Sequence, residues 1–300
     1  MLAQFASRGP WQTALLASST LTLATVLPPM VWFSAAAIAL YVMRHGGRSG
    51  LFATGLATAA AALFHALTLG QLFSGGAWFG LYAAAVFWTP VFLVALVLRV
   101  TERLELAALL AFALSLLVVL GVYLYVDSPR ALWTEHLAPF VRASGEGVDA
   151  ERLAQTLDTL ARFGTGMLAS GVLMNTLIGV FLGRSWQARL YQPGGFQAAF
   201  HAFRLPRGAA AALAAMVVAA WLTGADALIA LAMPAAVLLL VQGLAVIHGI
   251  VGIRQMGVGW LIALYFALML IYSVVLVGLI GLVDAVVDFR RRALARRDSD

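Results

Sequence analysis

Ionisable and amide side chains inside long apolar stretches are costly to bury in a membrane, so they mark where this sequence could do chemistry. Four stand out: His65, Asn175, Gln242 and His248. Gln71 lies six residues after His65, Thr176 follows Asn175, and Thr89 precedes Pro90. The proline ring removes one helical hydrogen bond and can free a backbone carbonyl. Lining one cavity, these groups would hold a small polar ligand. The competing reading is ordinary interhelical hydrogen bonding, worth about 0.6 kcal/mol per contact. Asp284 and Asp288 are four apart and share a helix face. Such a pair could take up a proton or cation, or act in an intramembrane enzyme. Arg291 and Arg292, three and four residues beyond Asp288, offer it an ion pair at a helix end instead.

Signatures of other chemistry are missing from the sequence. There is no Gly-x-Ser-x-Gly elbow, no His-Glu-x-x-His pair and no phosphate-cradling Gly-rich loop with Lys. Cysteine is absent, which removes thiol catalysis, disulfides and Cys-containing metal sites. His45, His65, His136, His201 and His248 lack ligand spacing. The expectation is a protein that is not an enzyme, with no cofactor and no metal.

The elements that must position these residues are membrane helices. Hydrophobic residues make up 63% of the chain and charged residues 11%, a balance no water-soluble fold could bury. The apolar residues fall in blocks near the roughly 20 residues needed to cross about 30 Å of hydrocarbon. They run Trp11–Leu27, Met30–Met43, Leu51–Phe73, Ala77–Leu98, Leu106–Val126, Phe163–Gly183, Ala209–Thr223, Ala227–Ile253 and Val258–Phe289. Pro28 and Pro29 forbid one regular helix across the first two blocks, and the first block reads as retained helix rather than cleaved signal. The expected fold is all-α: a polytopic transmembrane helical bundle of about eight to ten membrane segments, forming one integral membrane domain over 1–300.

All nineteen basic residues are Arg, and the net charge is +6. In short loops beside apolar blocks such residues set topology and meet anionic headgroups, so nucleic acid is not an expected partner. Arg44 and Arg48, Arg99 and Arg103, and Arg184, Arg189, Arg204 and Arg207 mark alternate loops as cytoplasmic, with the N-terminus inside. Residues 127–162 form an extracytoplasmic loop, in which Leu153, Leu157 and Leu160 suggest a short helix over Asp149–Arg162. Arg254 and the Arg-rich tail at 290–300 both belong inside, which one final span cannot satisfy. Either Val258–Phe289 folds back near Tyr272 and Ser273, or it is one long tilted helix with the tail outside.

The cytoplasmic segment 184–207 reads as an interfacial helix, with Phe196, Phe200 and Phe203 at helical spacing and Arg204 and Arg207 beside them. Pro193, Gly194 and Gly195 form the turn before it. Arg189, Phe196, Phe200, Arg204 and Arg207 are the candidate interface with the membrane or a cytoplasmic protein partner. Gly243, Gly249, Gly252, Gly278 and Gly281 suggest close helix packing.

Three stretches carry a family resemblance: Arg184–Phe196 (RSWQARLYQPGGF), Gln242–His248 (QGLAVIH) and Gly281–Arg292 (GLVDAVVDFRRR). They resemble the YybS-like family of bacterial inner-membrane proteins, whose function is unknown. The family pattern has Asn where this chain has Gln192. That family is remotely similar to the substrate-binding membrane subunits of energy-coupling-factor vitamin transporters. The similarity implies a ligand site among the helices and a cytoplasmic face that docks a partner, and it transfers no particular residue.

The leading expectation is a substrate-binding or transport-type protein of the bacterial inner membrane, multi-pass, with both termini cytoplasmic. Its partners would be the lipid bilayer and a small-molecule ligand near His65, Asn175, Gln242 and His248. The alternative is a membrane scaffold or envelope-biogenesis factor that acts through a protein partner at its cytoplasmic face.

Overall fold

The computed structural model describes residues 1–68, 76–144 and 149–297; Gln71 lies outside them. Fourteen helices follow in order: α1 (Leu2–Ala6), α2 (Pro10–Leu23), α3 (Met30–His45), α4 (Gly47–Thr68), α5 (Gly76–Thr101), α6 (Leu104–Tyr125), α7 (Pro129–Ser144), α8 (Ala150–Tyr191), α9 (Gly195–Ala202), α10 (Arg207–Thr223), α11 (Asp226–Ile253), α12 (Gly259–Ala267), α13 (Ile271–Val287) and α14 (Phe289–Arg297). Among the described residues there is no strand. Pro10 opens α2 at a position whose N–H would be unpaired in any helix. Gly46 at φ 84° ends α3 and Gly224 at φ 63° ends α10, both in the left-handed region that glycine enters without penalty.

Among the described residues five helical stretches are long and apolar enough to cross a membrane: Gly47–Leu67, Gly80–Thr101, Leu104–Tyr125, Ala150–Tyr191 and Asp226–Ile253. The number rises to seven if the bent pairs α9/α10 and α12/α13 each count as one span. The described helices therefore fall short of the eight to ten expected, and the difference lies at the N-terminus. Pro28 and Pro29 leave α2 with 14 residues and α3 with 16, roughly 21 and 24 Å at the helical rise, less than a hydrocarbon core.

One further expectation changes, and one of two alternatives gains support. The expected short helix over Asp149–Arg162 is not a separate element: it runs on without a break into the following apolar block, giving the 42-residue α8. Residues 258–289 do not form one long helix. The chain turns by 116° between α12 and α13, at Leu268–Leu270, just before the expected Tyr272 and Ser273. Arg254 and Arg292, on either side of this hairpin, line one pocket with Ile250, Phe289 and Ala293.

Contacts divide the chain into two compact units, Met1–Ala111 with Met174–Phe203, and Phe112–Leu173 with Arg204–Asp300. In the first, α3 is central, with every residue from Ser34 to Met43 buried. A helix apolar on all sides is one that others surround, and here α2, α4 and α5 pack on it. The C-terminal part of α8 joins them through Gly179, set against Ala35, and Gly183, where an added Cβ would lie 2.9 Å from the Ala36 carbonyl oxygen. A buried polar thread crosses this unit. The Trp88 indole donates to Ser34 Oγ at 2.9 Å, and the Ser34 hydroxyl donates to the Ala17 carbonyl at 2.7 Å.

In the second unit, α11 packs against α10, α13 and α14. Gly243 of α11 and Gly281 of α13 let the two backbones touch: a Cβ on Gly243 would overlap the Val277 carbonyl, and one on Gly281 the Leu239 carbonyl. Gly278, also on α13, has only the Leu240 amide at 3.9 Å. Gly243→Ala is therefore expected to destabilise the protein by about 1–3 kcal/mol through backbone displacement, while Gly278→Ala is neutral or slightly stabilising. Unfolding of both variants in detergent measures this; equal stabilities would contradict the assigned α11–α13 contact.

Candidate functional site

His65 and Asn175 belong to the first unit, Gln242 and His248 to the second. His65 is fully buried in α4, with Nδ1 2.8 Å from the Ala61 carbonyl one turn earlier. His248 makes the same bond to Leu244 at 2.8 Å and meets the Tyr265 ring edge-on, centroids 5.8 Å apart.

Gln242 is bonded at both ends of its amide. Its Nε2 donates to the Gly281 carbonyl at 2.6 Å and its Oε1 accepts the Leu205 amide at 2.9 Å. Because Gly281 has no side chain, its carbonyl is within reach of α11, and the glutamine ties α11, α13 and the Arg204–Pro206 connection together. The chain's own groups thus account for both functional atoms of this residue.

The two carboxylates close the α13–α14 corner. Asp284 is inaccessible to solvent; its oxygens accept the Phe289 amide and the Arg290 guanidinium, each at 2.9 Å. Asp288 adopts φ 54°, a left-handed conformation that Asp tolerates better than most residues. It accepts the Arg291 amide at 3.2 Å and Arg204 Nη1 at 2.5 Å. Arg204 Nη2 also donates to the carbonyls of Asp284 and Ala285 at 3.3 and 3.2 Å, in the last turn of α13, where backbone carbonyls run short of intrahelical donors. Partial burial opposes ionisation of Asp288, but the Arg291 amide bond and the Arg204 and Arg290 charges outweigh it, holding its pKa below the usual carboxylate value.

Of the expected interface residues, Phe196 and Phe200 stack at 5.9 Å and both pack on Phe181 of α8, at 6.0 and 5.8 Å. Phe203 lies beyond the end of α9 and is buried. Arg204 is committed to α13. Arg189 and Arg207 are exposed.

Asn175 differs from the other amide. Its Nδ2 donates to the Phe87 carbonyl at 3.2 Å, three residues before Pro90, in the turn of α5 where the proline lacks an N–H. The side-chain oxygen Oδ1 is buried and has no hydrogen-bond partner, in a residue only 3% exposed.

Sequence reasoning missed one further constellation. A pocket of about 520 Å³ in the first unit is lined by Arg44, Arg99, Arg184, Glu102, Gln187 and Tyr191, with Met43, Leu98 and Gln192. Its arginines come from three helix segments far apart in the chain, and their spacing signals only loop charge. Gly179 and Gly183 were also missed, although their four-residue separation is a packing signal legible in the sequence.

Comparison with protein-family models, with curated proteins and with solved structures finds no match to this chain.

Replacing Gln242 with Leu strands the Leu205 amide and the Gly281 carbonyl in an apolar interior, so a loss of about 2 kcal/mol or more is expected, read as a lower unfolding midpoint. Asp288 gives a pH signature. Its folded pKa is depressed from 3.8, so its contribution to stability is full at neutral pH and is lost as pH falls from that value through the depressed one. Asp288→Asn should flatten the acid limb of a stability–pH curve; an unchanged limb would refute the pairing.

Proposed function

We propose that the protein is a substrate-binding or transport-type protein for a small polar solute, resident in the bacterial inner membrane with its N-terminus cytoplasmic. The observation that carries this reading is the orphaned Oδ1 of Asn175. An amide oxygen buried without a donor costs about 1–3 kcal/mol, and inside apolar helices no lipid group can supply that donor. A solute bearing an N–H or O–H group would satisfy it. Pro90 supports the same reading, because a proline in a membrane helix weakens the turn it sits in and lets neighbouring groups reach its carbonyls. The family resemblance proposed from the three sequence stretches would, as analogy, point the same way.

Uptake into proteoliposomes, across a panel of vitamins, nucleobases and amino acids, tests this. Saturable uptake of at least one compound is expected. Asn175→Leu should abolish it while leaving thermal stability equal or higher, since the variant removes an unsatisfied polar group. Uptake retained by Asn175→Leu, or no saturable compound with well-folded protein, would end the reading.

A further inference from the structure

Arg44 lies in the last turn of α3, Arg99 in the last turn of α5, and Arg184 near the C-terminal end of α8. Folding of the first unit brings them to one pocket of about 520 Å³. Three guanidinium groups close together repel one another unless anions compensate, and the pocket supplies one acid, Glu102. Among the described residues no carboxylate lies in salt-bridge contact with any of the three. Their bonding partners are neutral: Arg44 donates to the Tyr191 hydroxyl and lies 4.8 Å from its ring centroid, and Arg184 donates to Gln187 Oε1 at 2.9 Å. Arg99 uses Nη1 on the carbonyls of Met43 and Arg44 at the end of α3, with its guanidinium beside Gly46.

We propose that this pocket is a binding site for a phosphate-bearing anion, independent of the solute site at Asn175. Arginine presents a planar fork of donors matched to phosphate oxygens, and charge-assisted bonds of this kind are about twice as strong as neutral ones. Arg99 is held in place before any ligand arrives, which lowers the entropy lost on binding. The volume exceeds that of a lone phosphate and lies in the range of sites for small organic ligands. Met43, Leu98 and the Tyr191 ring offer apolar wall for the rest of such a molecule. Glu102 stands at φ 56°, a backbone conformation costly for a residue with a Cβ and often retained at functional positions. Its carboxylate opposes an incoming anion and so limits affinity. In the expected orientation the pocket opens at the cytoplasmic face, where the phosphate could belong to a soluble phosphorylated compound or to an anionic lipid headgroup.

The test uses the full-length protein in nanodiscs and reads the unfolding midpoint. In discs of phosphatidylcholine alone, inorganic phosphate titrated against chloride at constant ionic strength should raise the midpoint saturably. Arg184→Gln and Arg44→Gln should weaken the apparent affinity about tenfold, whereas Arg48→Gln, an exposed residue outside the pocket, should leave it unchanged. Stabilisation by discs containing about one-third phosphatidylglycerol, with no response to free phosphate and the same dependence on Arg184, would support the proposal with the headgroup as the source. Glu102→Gln keeps the test decisive if an arginine variant fails to fold, since removing the opposing charge should tighten binding several-fold. The proposal is overturned if neither phosphate nor phosphatidylglycerol stabilises the protein, if Arg48→Gln weakens binding as much as Arg184→Gln, or if Glu102→Gln leaves affinity unchanged or lower.

Discussion

Backbone-to-backbone approach of helices at residues with little or no side chain is the contact on which the rest of this structure depends. In lipid there is no hydrophobic gain from bringing two apolar helices together, so association rests on close van der Waals packing and on hydrogen bonds between helices. The first unit meets this demand where Gly179 and Gly183 sit on the alanine-rich face of α3. The second meets it where Gly243 and Gly281 touch. The second contact also makes the Gln242 bridge possible, because the Gly281 carbonyl is reachable only where no side chain stands in front of it.

Arginine has two distinct jobs at the helix ends. Helix C-termini leave carbonyls unpaired, and at three of them a guanidinium takes the place of water. Arg99 does this for α3, Arg204 for α13, and Arg162 for α10, where it donates to the Gly224 carbonyl and to Asp226 at 2.9 Å. The second job is pairing with carboxylates. Arg162 and Arg130 share Asp226, and Arg130 also grips Asp158 through two bonds, at 2.9 and 2.5 Å. Arg290 is buried on Asp284, a pair whose removal from either side would leave an uncompensated charge in a dry place. Arg44 and Arg184 do neither of these things and bond the neutral side chains of Tyr191 and Gln187 instead.

Much of the architecture was legible in the residues. Long runs of apolar side chains with almost no charge fit membrane helices, and Pro28, Pro29 and Gly194 mark helix boundaries through backbone preferences that act locally. Loop charge places Arg44, Arg99 and Arg184 on one expected side, and the structure brings them to one pocket. Hydropathy, proline and glycine are legible because they act within a few residues of where they stand.

What the chain does with its polar residues was decided only by tertiary structure. Asn175 and Gln242 look alike in sequence, each an amide in an apolar block. Gln242 finds a donor and an acceptor on neighbouring segments, while Asn175 finds a single long bond to Phe87 and keeps a bare oxygen. Phe196 and Phe200 have the spacing of an interfacial stripe, and Phe181 of the preceding helix packs on both while leaving them half-buried. Asp284 and Asp288 stand four apart in the sequence, and the fold pairs them with Arg290 and Arg204. In each case the sequence determined which groups are costly to bury, since that is a property of the side chain and its local block. Which of them are satisfied depends on partners as many as 88 residues away, and only the packing of helices decides who those partners are.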